Sequence, residues 1–297
     1  MIAISGAAGH LGRMTAQLVA ELGTDPRELV LTSRTPDAVA ELVPGAQARF
    51  ADFTRPETLG AAFAGVTKLL LVSTDTVVDR SAQHLAAIDA AVGAGVEHIV
   101  YTSMLSPAPP NPALIAESHW ATEQHLRDSD VAFTILRCSL YSDFQLFEAA
   151  EALASGRFVH NRGSAGCSYI ARSDCARAAA VVVAGEGHEN TVYELTGPES
   201  LDAPALAALY SEFGDREVLP VAVDDSELLH FLDADSGTDG HVQYGAALAI
   251  SLGRAIREGY LGDVTSAVAD LTGTAPRSVA ALLRESRDLL RSAGTEL

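Results

Sequence analysis

The chain has 297 residues, with 39 acidic against 20 basic side chains and a net charge of −19. So acidic a surface repels phosphate backbones and anionic lipid, which disfavours nucleic acid and membrane surfaces as partners but leaves room for a local pocket holding an anionic cofactor. Hydrophobic residues at 48% and charged residues at 20% supply a sizeable core, either one large α/β unit or a nucleotide domain carrying a smaller lobe.

Apolar runs predict strands at Ile2–Ser5, Leu29–Thr32, Ala46–Phe50, Lys68–Ser73, Ile99–Ser103, Ala132–Arg137 and, late in the chain, Thr191–Leu195. Leu69–Val72 shows no alternation, as in a strand covered on both faces. Between these runs lie helical spacings: Leu11, Met14, Leu18 and Leu22, and then Leu85, Ile88 and Val92. A further helix is predicted to start at Ser173 or Asp174, capped by their oxygens, and to run through Ala176–Val183. Strand–helix alternation of this kind reads as a doubly wound parallel sheet. Beyond residue 196 the pattern weakens. Asp224–Gly240 reads as helix ends around an acidic loop, and Pro276–Leu290 as one closing amphipathic helix.

Lys68 is the sole lysine, and every other basic residue is arginine. Cys138, Cys167 and Cys175 are too few and too scattered for a disulfide framework or a thiolate zinc site. No apolar run reaches the ~18 residues of a membrane span, and Met1–Ile4 reads as a strand rather than a leader. A cytoplasmic protein is the expectation.

Gly6-Ala7-Ala8-Gly9-His10-Leu11-Gly12 stands between the first strand and the first helix. In that context glycines permit a tight turn, a close backbone approach to a pyrophosphate and close helix–strand packing, while the helix N-terminus attracts the anion. Gly6, Ala8, Gly9, His10, Leu11 and Gly12 are therefore candidate dinucleotide contacts. The GxxGxxG spacing points to the extended and atypical short-chain reductases. At the end of the second strand, where NAD-selective sites place an acid, the chain has Ser33 and Arg34. A guanidinium there grips a ribose 2′-phosphate, so NADPH is the expected cofactor. Asp52 and Phe53 are placed to meet the adenine edge, and Ser73, Thr74 and Asp75 to line the nicotinamide half at the carboxyl edge of the sheet.

The Tyr-xxx-Lys pair that protonates alkoxides in many short-chain reductases cannot exist here, because Ala64 stands four residues before Lys68. Where that pair would belong, His119 and Glu123 share a helix face. His119 reads either as a group that orients substrate or passes a proton, or as a histidine tied to a neighbouring carboxylate. A site without a strong acid suits a quinone, whose reduction yields a phenolate (phenol pKa about 10), or a cationic dye, better than a simple ketone.

The chain resembles the NmrA-like atypical short-chain reductases, and within them the bacterial NADPH quinone oxidoreductase 2 and triphenylmethane reductase group. The resemblance rests on the glycine loop, His98–Ser103 (HIVYTS), His119–Glu123, Thr134–Phe144 (TILRCSLYSDF), Gly187–Asn190 with the following VYEL, and Leu271–Ser278. It implies a Rossmann domain over residues 1–143, completed by 168–196, with a substrate-capping lobe from 144–167 and 197–297. It implies hydride transfer from NADPH to a small quinone-like or aromatic acceptor. Ser103 and the stretch Cys138, Ser139, Leu140, Tyr141 and Asp143 would join the cofactor contacts, with Tyr141 beside the nicotinamide and His119 as its catalytic companion. Departures from the group lie at His10 and Cys138–Leu140, and the least alike stretch is Asp224–Tyr244. Two other readings remain open: a non-catalytic NADP(H) sensor acting through a protein partner, and a tailoring reductase of a polycyclic aromatic metabolite. No metal site is expected, and the oligomeric state stays open between monomer and homodimer.

Overall fold

The computed structural model describes residues 1–76, 79–233 and 240–293, except for the side chains of residues 233, 240–243 and 292–293. Its elements in chain order are β1 (Ile2–Ile4), α1 (His10–Glu21), β2 (Leu29–Ser33), β3 (Gln47–Phe50), α2 (Leu59–Ala62), β4 (Lys68–Leu71), α3 (Arg80–Gly93), β5 (His98–Met104), α4 (Ala116–Asp128), β6 (Ala132–Cys138), α5 (Gln145–Ser155), β7 (Arg157–His160), α6 (Arg172–Ala184), β8 (Thr191–Leu195), α7 (Ala203–Gly214), β9 (Leu219–Ala222), α8 (Asp225–Asp233), α9 (Gly240–Arg257), α10 (Ala267–Thr272), α11 (Val279–Glu285) and α12 (Arg287–Ala293). Among the described residues no helix is long and apolar enough to cross a membrane.

Seven strands form one parallel sheet in the order β3-β2-β1-β4-β5-β6-β8. The central strands β4 and β5 are almost wholly buried because helices cover both faces. On one face Ala16 and Val19 of α1, Ala176 and Ala180 of α6 and Val268 of α10 pack together with Ile4, Leu31 and Leu70. On the other, Leu59 of α2, Ala87, Ile88 and Ala91 of α3 and Leu126 of α4 pack with Ala3, Leu69 and Ile99. This is the expected doubly wound Rossmann arrangement. Strand order reverses between β1 and β4, so a crevice opens beyond their carboxyl ends.

A second small sheet pairs β7 with β9, and a third core gathers Ala149 and Leu153 of α5, Leu206 and Tyr210 of α7, Leu283 of α11 and Leu290 of α12. The sequence reading missed this part, since Arg157 finds its partner Leu219 far along the chain and neither four-residue strand carries an alternating pattern. Two expectations need correction. The helix predicted from Ser173 or Asp174 begins at Arg172 and its N-cap is Ala171, without a side-chain cap. Its first N–H is satisfied from outside by Asp143 Oδ2 at 2.9 Å, while Asp174 accepts the Arg277 N–H at 2.7 Å. Second, Pro276–Leu290 is two helices: Ser278 caps α11, and the Ser286 N–H, shared between the Leu282 and Leu283 carbonyls, closes it before α12. Of the stretch Asp224–Gly240, read as helix ends around a loop, the structure shows the helix Asp225–Asp233 on one side and the start of α9 at Gly240 on the other. Residues 234–239 of that stretch lie outside the described residues.

Candidate functional site

Ser5 ends the first run with its N–H on Leu70 O (3.0 Å), and its hydroxyl accepts the Val72 N–H (2.9 Å). The chain then turns through Gly6 at φ +59°, a conformation that favours glycine. Gly9 is the N-cap of α1 and provides no side-chain cap, and the first turn carries no acid. The opening N–H groups of this helix thus face the crevice unmasked, with the positive end of the dipole behind them. Gly12 sits where a Cβ would lie 2.5 Å from Gly6 O, so α1 approaches its own loop as closely as backbone allows.

A cavity of about 530 Å³ runs over this turn. It is lined by Gly6, Ala8, Gly9, His10, Leu11 and Gly12. Ser33 and Arg34 line it at the end of β2, and Asp52 and Phe53 after β3. Ser73, Thr74 and Asp75 line it after β4, and Tyr141 lines it after β6. The sequence therefore brought these candidates to one place. Arg34 is exposed and has no hydrogen-bond or ion-pair partner among the described residues, while its charge helps hold the Asp52 carboxyl below its ordinary value. Buried Thr32, on the same wall, leaves its hydroxyl without a partner. An open helix N-terminus, a free guanidinium and an unpaired hydroxyl in one trough fit a phosphorylated dinucleotide.

The remaining candidates lie off that lining. Cys138 and Ser139 are buried, Ser139 sharing a hydrogen bond with Ser168 (3.3 Å), and Leu140 packs against the third core. Asp143 is occupied with Arg172, whose backbone N–H it accepts and whose guanidinium lies 3.8 Å away. Ser103 donates to Glu123 Oε1 at 2.7 Å. Glu123, fully buried, also takes Arg137 Nε at 3.0 Å and Nη2 at 2.7 Å. His119 therefore is not tied to the carboxylate four residues on: its Nδ1 bonds the buried Tyr101 hydroxyl at 2.8 Å. Burial pushes His119 well below the ordinary histidine value, with the charge of Arg80 acting the same way. Since Arg137 has its main partner in Glu123, Glu123→Gln is expected to destabilise the fold by about 3 kcal/mol, because it leaves a largely buried guanidinium with only the longer pair to Glu194 at 3.4 Å; urea unfolding checks this.

Sequence reasoning missed Arg172 and Phe144. Arg172 stacks over the Tyr141 ring with its guanidinium carbon 4.9 Å from the centroid and lies 5.7 Å from that of Phe144, and all three line the cleft. The bridge between Tyr141 and Ile170 and the Arg172 N–H on Asp143 bring Arg172 there across almost thirty residues of chain, so nothing local in the sequence announces it. Also unforeseen was a buried polar chain behind Thr74. The Thr74 N–H donates to His84 Nε2 (3.0 Å), His84 Nδ1 lies 3.0 Å from Thr122 Oγ1 and 3.3 Å from the Tyr101 hydroxyl, and Tyr101 leads on to His119. Lys68, at the start of β4, bonds the Gly185 carbonyl, away from the cleft lining.

Residues 6–186 match the NAD(P)H-binding family. Quinone oxidoreductase 2 of Escherichia coli (strain K12) is 34% identical over 240 residues, 81% of this chain and 84% of that protein. The crystal structure of the NADPH-dependent quinone oxidoreductase QOR2 from E. coli complexed with NADPH superposes with a TM-score of 0.89 at 32% identity, covering 98% of this chain and 99% of that one. The triphenylmethane reductase of Citrobacter sp. complexed with NADP(H) gives 0.87 at 29% identity, covering 96% and 100%. With a Rossmann sheet, a glycine turn at its switch point and these likenesses, the chain belongs to the NAD(P)H-binding family, in its NmrA-like oxidoreductase branch.

Proposed function

We propose that the protein is an NADPH-dependent reductase that passes a hydride to a quinone or another conjugated aromatic acceptor. The observation that carries this reading is a dinucleotide-shaped cleft with a free arginine at its ribose end and, among the described residues, no Tyr-xxx-Lys pair at the other. When bound, NADPH supplies the hydride. The α1 N-terminus and the glycine turn hold its pyrophosphate, Arg34 and Ser33 its 2′-phosphate, and Asp52 and Phe53 flank the adenine. Ser73, Thr74 and Asp75 with Tyr141 would border the nicotinamide. Burial keeps the Tyr141 phenol well above its ordinary value, so it stays a neutral donor under the Arg172 guanidinium. Asp143 positions Arg172, and Ser103 holds Glu123; Cys138, Ser139 and Leu140 support the floor from behind.

A quinone that gains one hydride becomes a hydroquinone anion, and one proton from solvent completes the reduction. That proton needs no strong acid in the cleft, which is why His119, buried and reluctant to protonate, is assigned a supporting place in the chain behind Thr74. The similarity to proteins named for quinones and triphenylmethane dyes supports the same acceptor class. On this reading residues 1–143 with 168–196 bind the cofactor, and 144–167 with 197–297 cap the acceptor. Three free buried thiols suit a cytoplasmic enzyme, and a net charge of −19 disfavours nucleic acid.

The decisive assay follows NADPH oxidation at 340 nm against quinones, cationic dyes and simple ketones, with NADH alongside. Turnover of quinones or dyes but not ketones, with NADPH preferred, is expected. Tight NADPH binding with no acceptor reduced would instead favour the sensor reading. Arg34→Asp is expected to weaken NADPH by about 2–3 kcal/mol, through loss of a charge-assisted pair and added repulsion, and to spare NADH. Equal NADPH affinity in the variant and the parent, measured by calorimetry, would remove the 2′-phosphate assignment.

A further inference from the structure

Beside the cofactor cleft lies a second cavity of about 360 Å³. Its walls are the first turn of α3 (Asp79 to Ala82), Leu114, Ile115 and Ser118 at the start of α4, and Tyr244 on α9. The α3 turn separates the two cavities: Thr76 and Gln83, on either side of it in sequence, line the cofactor cleft, with the Thr76 hydroxyl 2.8 Å from that of Thr74 and 3.0 Å from Gln83 Oε1. Anything seated in the second cavity therefore adjoins the part of the cleft lined by Thr74 and Thr76.

Arg80 gives this cavity its chemistry. Its Nε donates to the Thr76 carbonyl at 3.2 Å, which fixes the guanidinium against the partition. Nη1 and Nη2 have no hydrogen-bond or ion-pair partner among the described residues, and Asp79, though in the same wall, forms no ion pair with it. In a chain with nearly twice as many acids as bases, an unengaged guanidinium fork inside a cavity is selective for an oxyanion. Around it stand apolar Ala82, Leu114 and Ile115 and the ring of Tyr244, together with the polar Ser81 and Ser118, a setting for a flat ring that carries polar substituents.

We propose that this cavity is the distal subsite for the acceptor, holding a fused aromatic ring whose sulfonate or carboxylate pairs with Arg80. The word acceptor rests on the reductase reading above; the binding site itself does not. The subsite makes ring-sulfonated and ring-carboxylated acceptors the preferred class, and it makes Arg80 the residue that sets the preference.

The test uses redox-inert probes on the whole protein saturated with NADP⁺: 2-naphthol-6-sulfonate, neutral 2-naphthol and 1-naphthylmethylammonium, with dissociation constants read from ligand fluorescence. The sulfonate is expected to bind about tenfold tighter than 2-naphthol, as for one charge-assisted pair. Arg80→Gln should erase that ratio. Ala82→Phe, which fills the cavity, should weaken both naphthols about tenfold, with NADP⁺ binding retained as the sign of a folded protein. A missing sulfonate preference, a preference that survives Arg80→Gln, unchanged naphthol binding in Ala82→Phe, or tighter binding of the ammonium probe would each overturn the proposal. An Arg80-dependent sulfonate preference in a protein that oxidises NADPH with no quinone or dye would keep the cavity assignment and end the reductase reading instead.

Discussion

Gly12→Val is expected to remove NADPH binding, a loss of at least about a hundredfold in affinity, or roughly 3 kcal/mol. The cause is steric and lies in atoms that cannot yield. A Cβ at position 12 would stand 2.5 Å from Gly6 O, 2.9 Å from Gly6 C and 3.0 Å from Ser5 O, all of them backbone. That backbone is pinned to the sheet through Ser5 N on Leu70 O, Ala7 N on Thr32 O and Val72 N on the Ser5 hydroxyl. The helix must therefore back away from the turn, taking with it the N–H groups that would face the pyrophosphate, and the overpacking itself costs about 1–3 kcal/mol of stability. Gly9 is less constrained, with a Cβ 3.3 Å from Gly6 O, so Gly9→Ala should be the milder change. Gly93, in α3 with nothing within 4 Å of a Cβ, is the control: Gly93→Ala should bind NADPH normally. Calorimetric titration distinguishes these outcomes, and NADPH affinity in Gly12→Val within about threefold of the parent would contradict the close-approach argument.

What could be read in the sequence was what is local. Ile2–Ile4, the glycine turn and the periodic Leu11–Leu22 stretch are contiguous, so the strand, the turn and the helix announce one another and place the cleft. Strand ends moved by a residue or two: Lys68–Leu71 stops short of Ser73 because Val72 and Ser73 already turn to bond Ser5 and Thr102. The place of Arg34 on the cleft wall was legible because it follows the second strand directly. The contacts that escaped depend on partners brought together by the sheet. Arg172 reaches Tyr141 through the pairing at Ile170 and its N–H on Asp143, and β7 meets β9 across the intervening α6, β8 and α7. His119 illustrates the limit of a helical-spacing argument: Glu123 does lie on the same buried face, yet Arg137 from the neighbouring strand captures it, leaving the imidazole to Tyr101. The α3 turn with Arg80 carried no motif at all.

Acidification from pH 7.5 to 5 is expected to cost about 4 kcal/mol of folding free energy, with a limiting slope near 2.7 kcal/mol per pH unit for two histidines that refuse protons. His84 is pushed down to about 3, by burial first and the charge of Arg80 second, and His119 is pushed well below its ordinary value by burial, with the His84 and Arg80 charges following. The hydrogen bonds state the reason in atoms. His84 Nε2 already accepts the Thr74 N–H, so a proton there would point donor at donor. The Thr122 hydroxyl donates to Ser118 O at 2.7 Å and so accepts from His84 Nδ1, which fixes the neutral tautomer. Tyr101, fully buried, donates to His119 Nδ1 and cannot take up charge, since burial drives its own phenol far above the ordinary range. Unfolded histidines bind protons below about 6.5, whereas the folded pair does not. Stability is thus fully present above that value and is lost as pH falls through it, down toward the folded value of His84. His98 and His160, also depressed by burial, steepen the loss. Urea unfolding at pH 7.5, 6.5, 5.5 and 5 measures the slope, and His119→Phe should reduce it by about one proton's worth, near 1.4 kcal/mol per unit. A flat profile would mean that the chain takes up protons when folded. Because folded His84 stays unprotonated until about 3, the Thr74 N–H keeps its acceptor at the cleft wall from pH 7.5 to 5, so NADPH binding to the chain that remains folded should not change through His84 over the range in which stability falls.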